Sequence, residues 1–179
     1  MSLLGTIEEQ TIFGFTGRIN ILHRSTGQFL GLVLIAEGEI VDCSYSGLKT
    51  DKALYQALFD DMEHTPLKFI AEPEVVLDSQ RKIHLSFEDF KANSQHLYRK
   101  HRESKSLKPP LNLKLILSGD FISRGDEVSK EEFTVMSVLT EYSRVADIYS
   151  NSDLYDFEVT QALVSLRKKG AIKVVKNKN

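Results

Sequence analysis

Phe29-Leu30-Gly31-Leu32-Val33-Leu34-Ile35-Ala36-Glu37-Gly38-Glu39-Ile40-Val41-Asp42-Cys43-Ser44-Tyr45-Ser46-Gly47 carries the architecture of the first half of this chain. Phe29 to Ile35 is apolar at odd and even positions alike, as expected of a strand covered on both faces and central in its sheet. Glu37-Gly38 reads as a tight hairpin turn, with Gly38 supplying a positive φ. Ile40 to Tyr45 is the return strand, with Val41, Cys43 and Tyr45 expected on one face. Gly47 is expected to end it. Upstream, Gly17 to His23 sets Ile19 and Ile21 against Arg18 and Asn20, the alternation of a half-buried strand. Arg24-Ser25-Thr26-Gly27 turns the chain between the two. Three strands with short turns make an antiparallel meander, with Gly17, Gly38 and Gly47 as its structural turn residues.

Working outward, Thr6-Ile7-Glu8-Glu9 has the form of a helix start capped by Thr6, in a segment too short and β-branched for a long helix. Beyond the meander, Ala53, Leu54, Ala57, Leu58 and Met62 recur at three and four residues, which predicts a helix over 50–62 stopped before Pro66. Leu67 to Ala71 is extended. Ser86 to Glu103 is a second helix, capped by Ser86 with Asp89, with a narrow apolar stripe (Phe87, Phe90, Leu97, Tyr98) on a basic surface. Residues 104–110, Ser-Lys-Ser-Leu-Lys-Pro-Pro, have linker composition, and the domain boundary is placed there. This gives domains at 1–105 and 111–179, the first including the basic helix at 86–103.

In the second domain, Leu111, Leu113 and Leu115 alternate as a strand, and Ser118-Gly119-Asp120 turns. Ser129 and Glu132 form a capping box for a helix carrying Phe133, Met136 and Leu139. A short helix with Val145, Ile148 and Tyr149 follows. Asn151 or Ser152 is expected to cap the last helix, Gly170 to end it, and Ala171 to Val175 to form a final strand. Three helices and a strand describe a winged-helix-like unit. The fold class is α+β.

The chain has 179 residues and a net charge of −2, which conceals an uneven distribution. Residues 1–77 hold 5 basic and 11 acidic groups, net −6; residues 78–113 hold 8 and 4, net +4; residues 114–179 hold 10 of each. The absence of a global positive charge argues against bulk coating of nucleic acid. A single cysteine, Cys43, excludes an intramolecular disulfide and suits a reducing compartment. Met1 to Thr6 has neither a basic nor an apolar leader region, and the longest apolar run, 29–36, is short of the ~20 residues that span a bilayer. A cytoplasmic protein is expected.

The five histidines, His23, His64, His84, His96 and His101, have no i, i+3 or i+4 spacing, so no metal site is expected. No phosphate-binding glycine loop is present. Cys43 lies mid-strand, where no helix dipole lowers its pKa, and reads as a small buried hydrophobe. Neither catalytic residues nor a cofactor is expected.

Three stretches carry a family resemblance. Phe15-Thr16-Gly17-Arg18-Ile19-Asn20-Ile21 is similar to the opening strand "(K/R)TG-x-L-x-(V/L)" of the PATAN domain, the N-terminal module of bacterial PatA-type response regulators, with Phe15 at the basic position. Gly31 to Cys43 resembles that family's "G-x-(I/L)-x-F-x-(D/N)-G-x-(I/L)-V-x-A" hairpin. Gly47 to Leu54 resembles its "G-x-x-G-x-x-A-(L/F)" approach to a helix, with Thr50 where glycine is common. The resemblance covers residues 4–103. It implies a non-enzymatic protein–protein interaction adaptor in bacterial two-component signalling, type IV pili, motility or cell polarity. The implied partner is a response regulator, a pilus or motility ATPase, or a small GTPase, and self-association is compatible with it.

The contact residues expected on the first domain are Tyr45, Leu48, Lys49 and Asp51, near the third strand and the helix start. Tyr45 has a competing reading as core, because it shares the face of Cys43. An edge strand offers a second mode, β-augmentation. The alternative function is DNA-binding transcriptional regulation through the winged-helix-like unit. Its electrostatics are unfavourable: Asp153, Asp156 and Glu158 stand where a recognition helix meets phosphates. Arg167, Lys168 and Lys169 lie at the helix's other end, leaving Lys173, Lys176 and Lys178 for a wing.

Overall fold

The computed structural model describes residues 2–175 of an α+β chain that divides into two units, Met1–Tyr98 and Arg99–Asn179. The division falls inside a helix, several residues before the stretch with linker composition. Lys176 and Lys178 of the expected wing lie outside the described residues.

The first unit contains α1 (Leu3–Ile12), β1 (Gly17–His23), β2 (Phe29–Ala36), β3 (Glu39–Tyr45), β4 (Leu48–Lys49), α2 (Thr50–Met62) and β5 (Leu67–Pro73). It also holds the first part of α3 (Phe87–Lys105). The strands form one antiparallel sheet in the order β4-β3-β2-β1-β5, so β2 is central, as its two-sided hydrophobicity requires. Ile19 pairs with Val33 and Val33 with Cys43, which puts all three buried side chains on one face. Helix α2 packs beside β3 on that core. The helices are tied together as well. The Leu3 N–H donates to Asp61 Oδ2 at 2.8 Å, Lys91 pairs with Glu8 at 2.9 Å, and Tyr55 meets Phe90 with ring centroids 5.4 Å apart. Ser86 caps α3, its hydroxyl accepting from the Asp89 N–H at 3.1 Å and donating to the Asp89 carboxylate at 2.7 Å.

Four local expectations are corrected. Helix α1 starts at Leu3 under a Ser2 cap, with Thr6 buried inside it rather than capping it. Gly17 opens β1 and is not a turn residue; a Cβ there would collide with the Glu72 carbonyl and lie 2.9 Å from Pro73 Cα. Val41 leaves the face of Cys43 and Tyr45. The register shifts between Leu34 and Ile35, so Leu34 faces Asp42 while Ile35 faces Ile40. This bulge sends Val41 to the second face, where it packs with Leu34, Ala36 and Val76. The Val41 carbonyl accepts from the N–H groups of Lys82 and Ile83, so the loop after β5 crosses that face and fastens to β3. Finally, the meander continues past Gly47. Ser46 (φ 49) and Gly47 (φ 84) make a second tight turn like Glu37 (φ 53) and Gly38 (φ 83), and β4 returns along β3.

The second unit contains β6 (Leu115–Leu117), α4 (Gly119–Arg124), α5 (Lys130–Leu139), α6 (Val145–Asn151), α7 (Asp156–Lys168) and β7 (Ile172–Val174). Strands β6 and β7 pair antiparallel, and an isolated bridge joins Lys114 to Arg144. The core gathers Phe121, Val135, Ile148, Leu163 and Leu166. The Ser129–Glu132 capping box forms, and Glu132 also accepts from Lys169 at 2.7 Å. Burial pushes the Glu132 carboxyl up, but the Lys169 ammonium, Ser165 and the Ser129 N–H more than offset this and hold it below the usual range. Three expectations change. Ser118 to Asp120 leads into α4 instead of turning. Leu111 and Leu113 precede the strand. Helix α7 is capped at Tyr155, later than Asn151 or Ser152. The expected linker is not loose, since Lys108 pairs with Asp156 at 2.8 Å and sits 4.4 Å from the Tyr149 ring centre.

Candidate interaction surface

Of the four residues expected to form a contact surface, Tyr45 belongs to the core. It is 3% exposed, and its hydroxyl donates to Asp60 Oδ2 at 2.8 Å. Burial and the Asp60 carboxylate raise its pKa well above the usual tyrosine value. Leu48 is half-buried, while Lys49 and Asp51 are exposed beside the Ser46–Gly47 turn. Thr50 between them has φ 57, unfavourable for a β-branched residue and the reason glycine suits this position. The surface there is a small polar one.

The edges of the sheet differ. The outer side of β3 is taken by β4 at Ser44 and Tyr45 and by Leu85 at Ile40. Among the described residues, β4 and β5 each pair with one strand, and the seven-residue β5 offers the longer unpaired edge for augmentation.

The opposite end of the sheet carries a feature that sequence reasoning missed. Ile12 (75% exposed), Phe13 (76%), Val75 (81%) and Leu77 (59%) all stand in solvent. The fold brings them to one end. Gly17 pairs with both Ile35 and Pro73, so the chain before β1, the β2–β3 turn and the chain after β5 emerge together. The Gly38 N–H donates to the Phe15 carbonyl at 3.0 Å, and a Cβ on Gly38 would lie 3.5 Å from Gly14 Cα. Arg81 bridges from the loop to the turn, 3.6 Å from Glu37 and 3.4 Å from Asp78.

The supports are firm. Phe15 N–H donates to the Gln10 carbonyl, Val76 is buried between exposed Val75 and Leu77, and the Leu77 N–H donates to Gln80 Oε1 at 2.8 Å. The signals in the sequence were faint: Ile12-Phe13 before Gly14, and Val75-Val76-Leu77 in a stretch with no periodicity. Single exposed apolar residues are ordinary, but here two exposed apolar pairs, Ile12–Phe13 and Val75/Leu77, stand on anchored backbone at the same end of the sheet, flanking the Glu37–Gly38 turn.

The second unit holds a polar cleft of about 560 Å³ bordered by Glu127, Glu131, Glu132, Glu158 and Lys169. Several of these groups are committed locally: Glu131 accepts from the Ser129 hydroxyl, Glu158 from the Tyr155 N–H, and Glu132 from Lys169. Cys43 is buried, and burial raises its thiol pKa far above the reactive range. Among the described residues, no three His, Cys, Asp or Glu side chains are grouped to hold a metal, and no helix is long and apolar enough to cross a membrane.

No protein-family model matches the sequence, and neither a curated protein nor a solved structure is significantly similar to it.

Proposed function

We propose that this chain is a non-catalytic protein–protein interaction adaptor whose contact surface is the apolar end of the first unit. The observation that carries this reading is the exposure of Ile12, Phe13, Val75 and Leu77 on backbone that the sheet and its loop hold in place. A pre-organised apolar patch loses little freedom when a partner covers it. The resemblance to PATAN domains supports a signalling, pilus, motility or polarity protein as partner, in a bacterial cytoplasm. The strand edge of β5 is the second mode this unit offers.

A winged-helix-like identity for the second unit is supported by the succession α5, α6, α7 and β7 and by the Lys114–Arg144 bridge beside β6. DNA binding gains no support from it. At the start of α7, Asp156 is paired with Lys108 and Glu158 serves the Tyr155 cap, while exposed Arg167 and Lys168 sit at the far end. Affinity purification from the native cell tests the adaptor reading. A partner recovered with the wild type and lost with Phe13→Asp/Val75→Asp supports it. Equal recovery with both moves the contact elsewhere on the chain.

A further inference from the structure

We infer that the apolar end of the first unit takes a protein segment with apolar anchor residues flanked by Lys or Arg; this rests on the adaptor reading and names the partner's chemistry. Large apolar side chains present about 100 Å² or more apiece when mostly exposed. The four together expose several hundred Å² of apolar side chain at one end of the sheet, as two pairs on either side of the Glu37–Gly38 turn that a segment crossing the turn can engage. The exposed side chains nearby are mostly acidic. Glu9 lies on the helix face of Ile12 and Phe13, three and four residues before them. Glu37 and Asp78 have side chains 83% and 99% exposed, and Glu74 borders Val75.

The cations beside them do not cancel this. Arg81 is a single guanidinium between Glu37 and Asp78, with both contacts longer than 3.3 Å. Lys82 keeps its full positive charge, its ammonium held by the Ser79 carbonyl at 2.6 Å. Arg18 is shared between Glu72 and Glu74. At this end of the sheet the carboxylates Glu9, Glu37, Glu72, Glu74 and Asp78 outnumber the cations Arg18, Arg81 and Lys82, in a unit whose residues 1–77 are net −6. An acidic rim around an apolar centre selects partners with the inverse pattern and speeds their encounter. Anionic lipid and nucleic acid are disfavoured by the same field.

Selection of a phage-displayed random peptide library on the intact wild-type chain, followed by fluorescence anisotropy with the enriched peptides, tests this. The expected result is enrichment of peptides that combine large apolar residues with Lys or Arg. Their affinity should fall about tenfold or more in Phe13→Asp/Val75→Asp, as for loss of a central anchor. It should fall severalfold in Glu9→Lys/Asp78→Lys, which changes exposed charges only, and on raising salt from ~50 to ~500 mM. Circular dichroism establishes that the variants are folded. Enriched peptides that bind both variants as tightly as the wild type overturn the inference and leave the adaptor reading standing on another surface. Enriched acidic peptides lost only in Phe13→Asp/Val75→Asp overturn the charge argument. Sedimentation velocity showing a wild-type dimer abolished by Phe13→Asp makes the occupant a second copy and overturns the inference too. A library that yields no binder to the chain counts against both readings.

Discussion

At one end of the five-stranded sheet the Glu37–Gly38 turn is flanked by the chain before β1, with Phe13, and by the chain after β5, with Val75 and Leu77; at the other, the Ser46–Gly47 turn precedes Lys49, Thr50 and Asp51. Both turns place two consecutive residues at positive φ, with glycine second, so the backbone device is the same. The neighbours differ. At the Ser46–Gly47 end Phe29 is the large apolar side chain that stands exposed, and the aromatic nearest the turn, Tyr45, is drawn inward to Asp60. At the Glu37–Gly38 end the apolar residues are turned outward on a fastened loop. One end has spent its hydrophobic residues on the core, and the other has kept them at the surface. This difference locates the candidate contact surface better than turn chemistry could.

The largest effect separating the ends is expected at Gly17, where β1 and β5 close together beneath the apolar end. Gly17→Ala places a Cβ against the Glu72 carbonyl and 2.9 Å from Pro73 Cα, and both are backbone that cannot swing aside. A loss of about 3 kcal/mol is expected, at the upper range for overpacking, and urea denaturation measures it. An unchanged midpoint would mean that β1 and β5 part freely there, and that the apolar end is less firmly supported than the hydrogen bonds indicate.

At the Ser46–Gly47 end a milder effect is expected from the Tyr45 hydroxyl. Tyr45→Phe removes the donor to Asp60, whose other oxygen still accepts from Gln56 at 2.8 Å. A destabilisation of about 1–2 kcal/mol follows for a part-buried hydrogen bond to a carboxylate. A variant as stable as the wild type would mean that water replaces the hydroxyl and that this end is open to solvent.

What could be read from the sequence follows the range of the interaction responsible. Strand β1 over 17–23 and helix α2 over 50–62 were legible because alternation and helical periodicity are local, as was the Ser129–Glu132 box. The place of Val41 was not. It depends on a bulge fixed jointly by β2 and by the Lys82–Ile83 segment, both remote in sequence. Tyr45 was ambiguous for a similar reason, since its partner lies on α2. The candidate site was the least legible feature. Phe13, Val75 and Leu77 belong to segments that are brought to one end only by tertiary pairing, of Gly17 with Ile35 and Pro73. Helix α4 was lost to a Ser-Gly-Asp signal that serves a turn and a helix start equally well.

Thr50 sharpens the comparison in the opposite direction, because the Ser46–Gly47 end should gain from a substitution. A β-branched residue at φ 57 costs roughly 1 kcal/mol or more. Asparagine tolerates that conformation without the unfolded-state entropy of glycine. Thr50→Asn is therefore expected to stabilise by about 0.5–1 kcal/mol, and Thr50→Gly by less, as read from thermal melting. Destabilisation by both would show that the Thr50 hydroxyl, which donates to the Lys49 carbonyl at 2.8 Å, outweighs the backbone strain.

The smallest effect concerns the charge of the apolar end and depends on pH. Glu72 is held below the usual carboxylate range first by the Arg18 guanidinium, at 2.7 Å, and then by the Asn20 amide. A depressed folded-state pKa stabilises the protein at pH values above the unfolded value of ~4.3, and that contribution disappears as pH falls through the folded value. Wild type and Glu72→Gln should therefore differ slightly at neutral pH and converge in the acid range below ~4. Both partners are nearly half exposed, so the difference is modest and shrinks with salt. Matched urea midpoints across pH measure it, with the wild type losing more stability than the variant as the solution is acidified. A gap that persists at low pH would assign the Glu72 contribution to its packing against Asn20 and Arg18 instead of its charge. Arg18 would then be a countercharge for the acidic rim, because a guanidinium that Glu72 does not neutralise serves Glu74 and lowers the negative field on which the partner's chemistry was inferred.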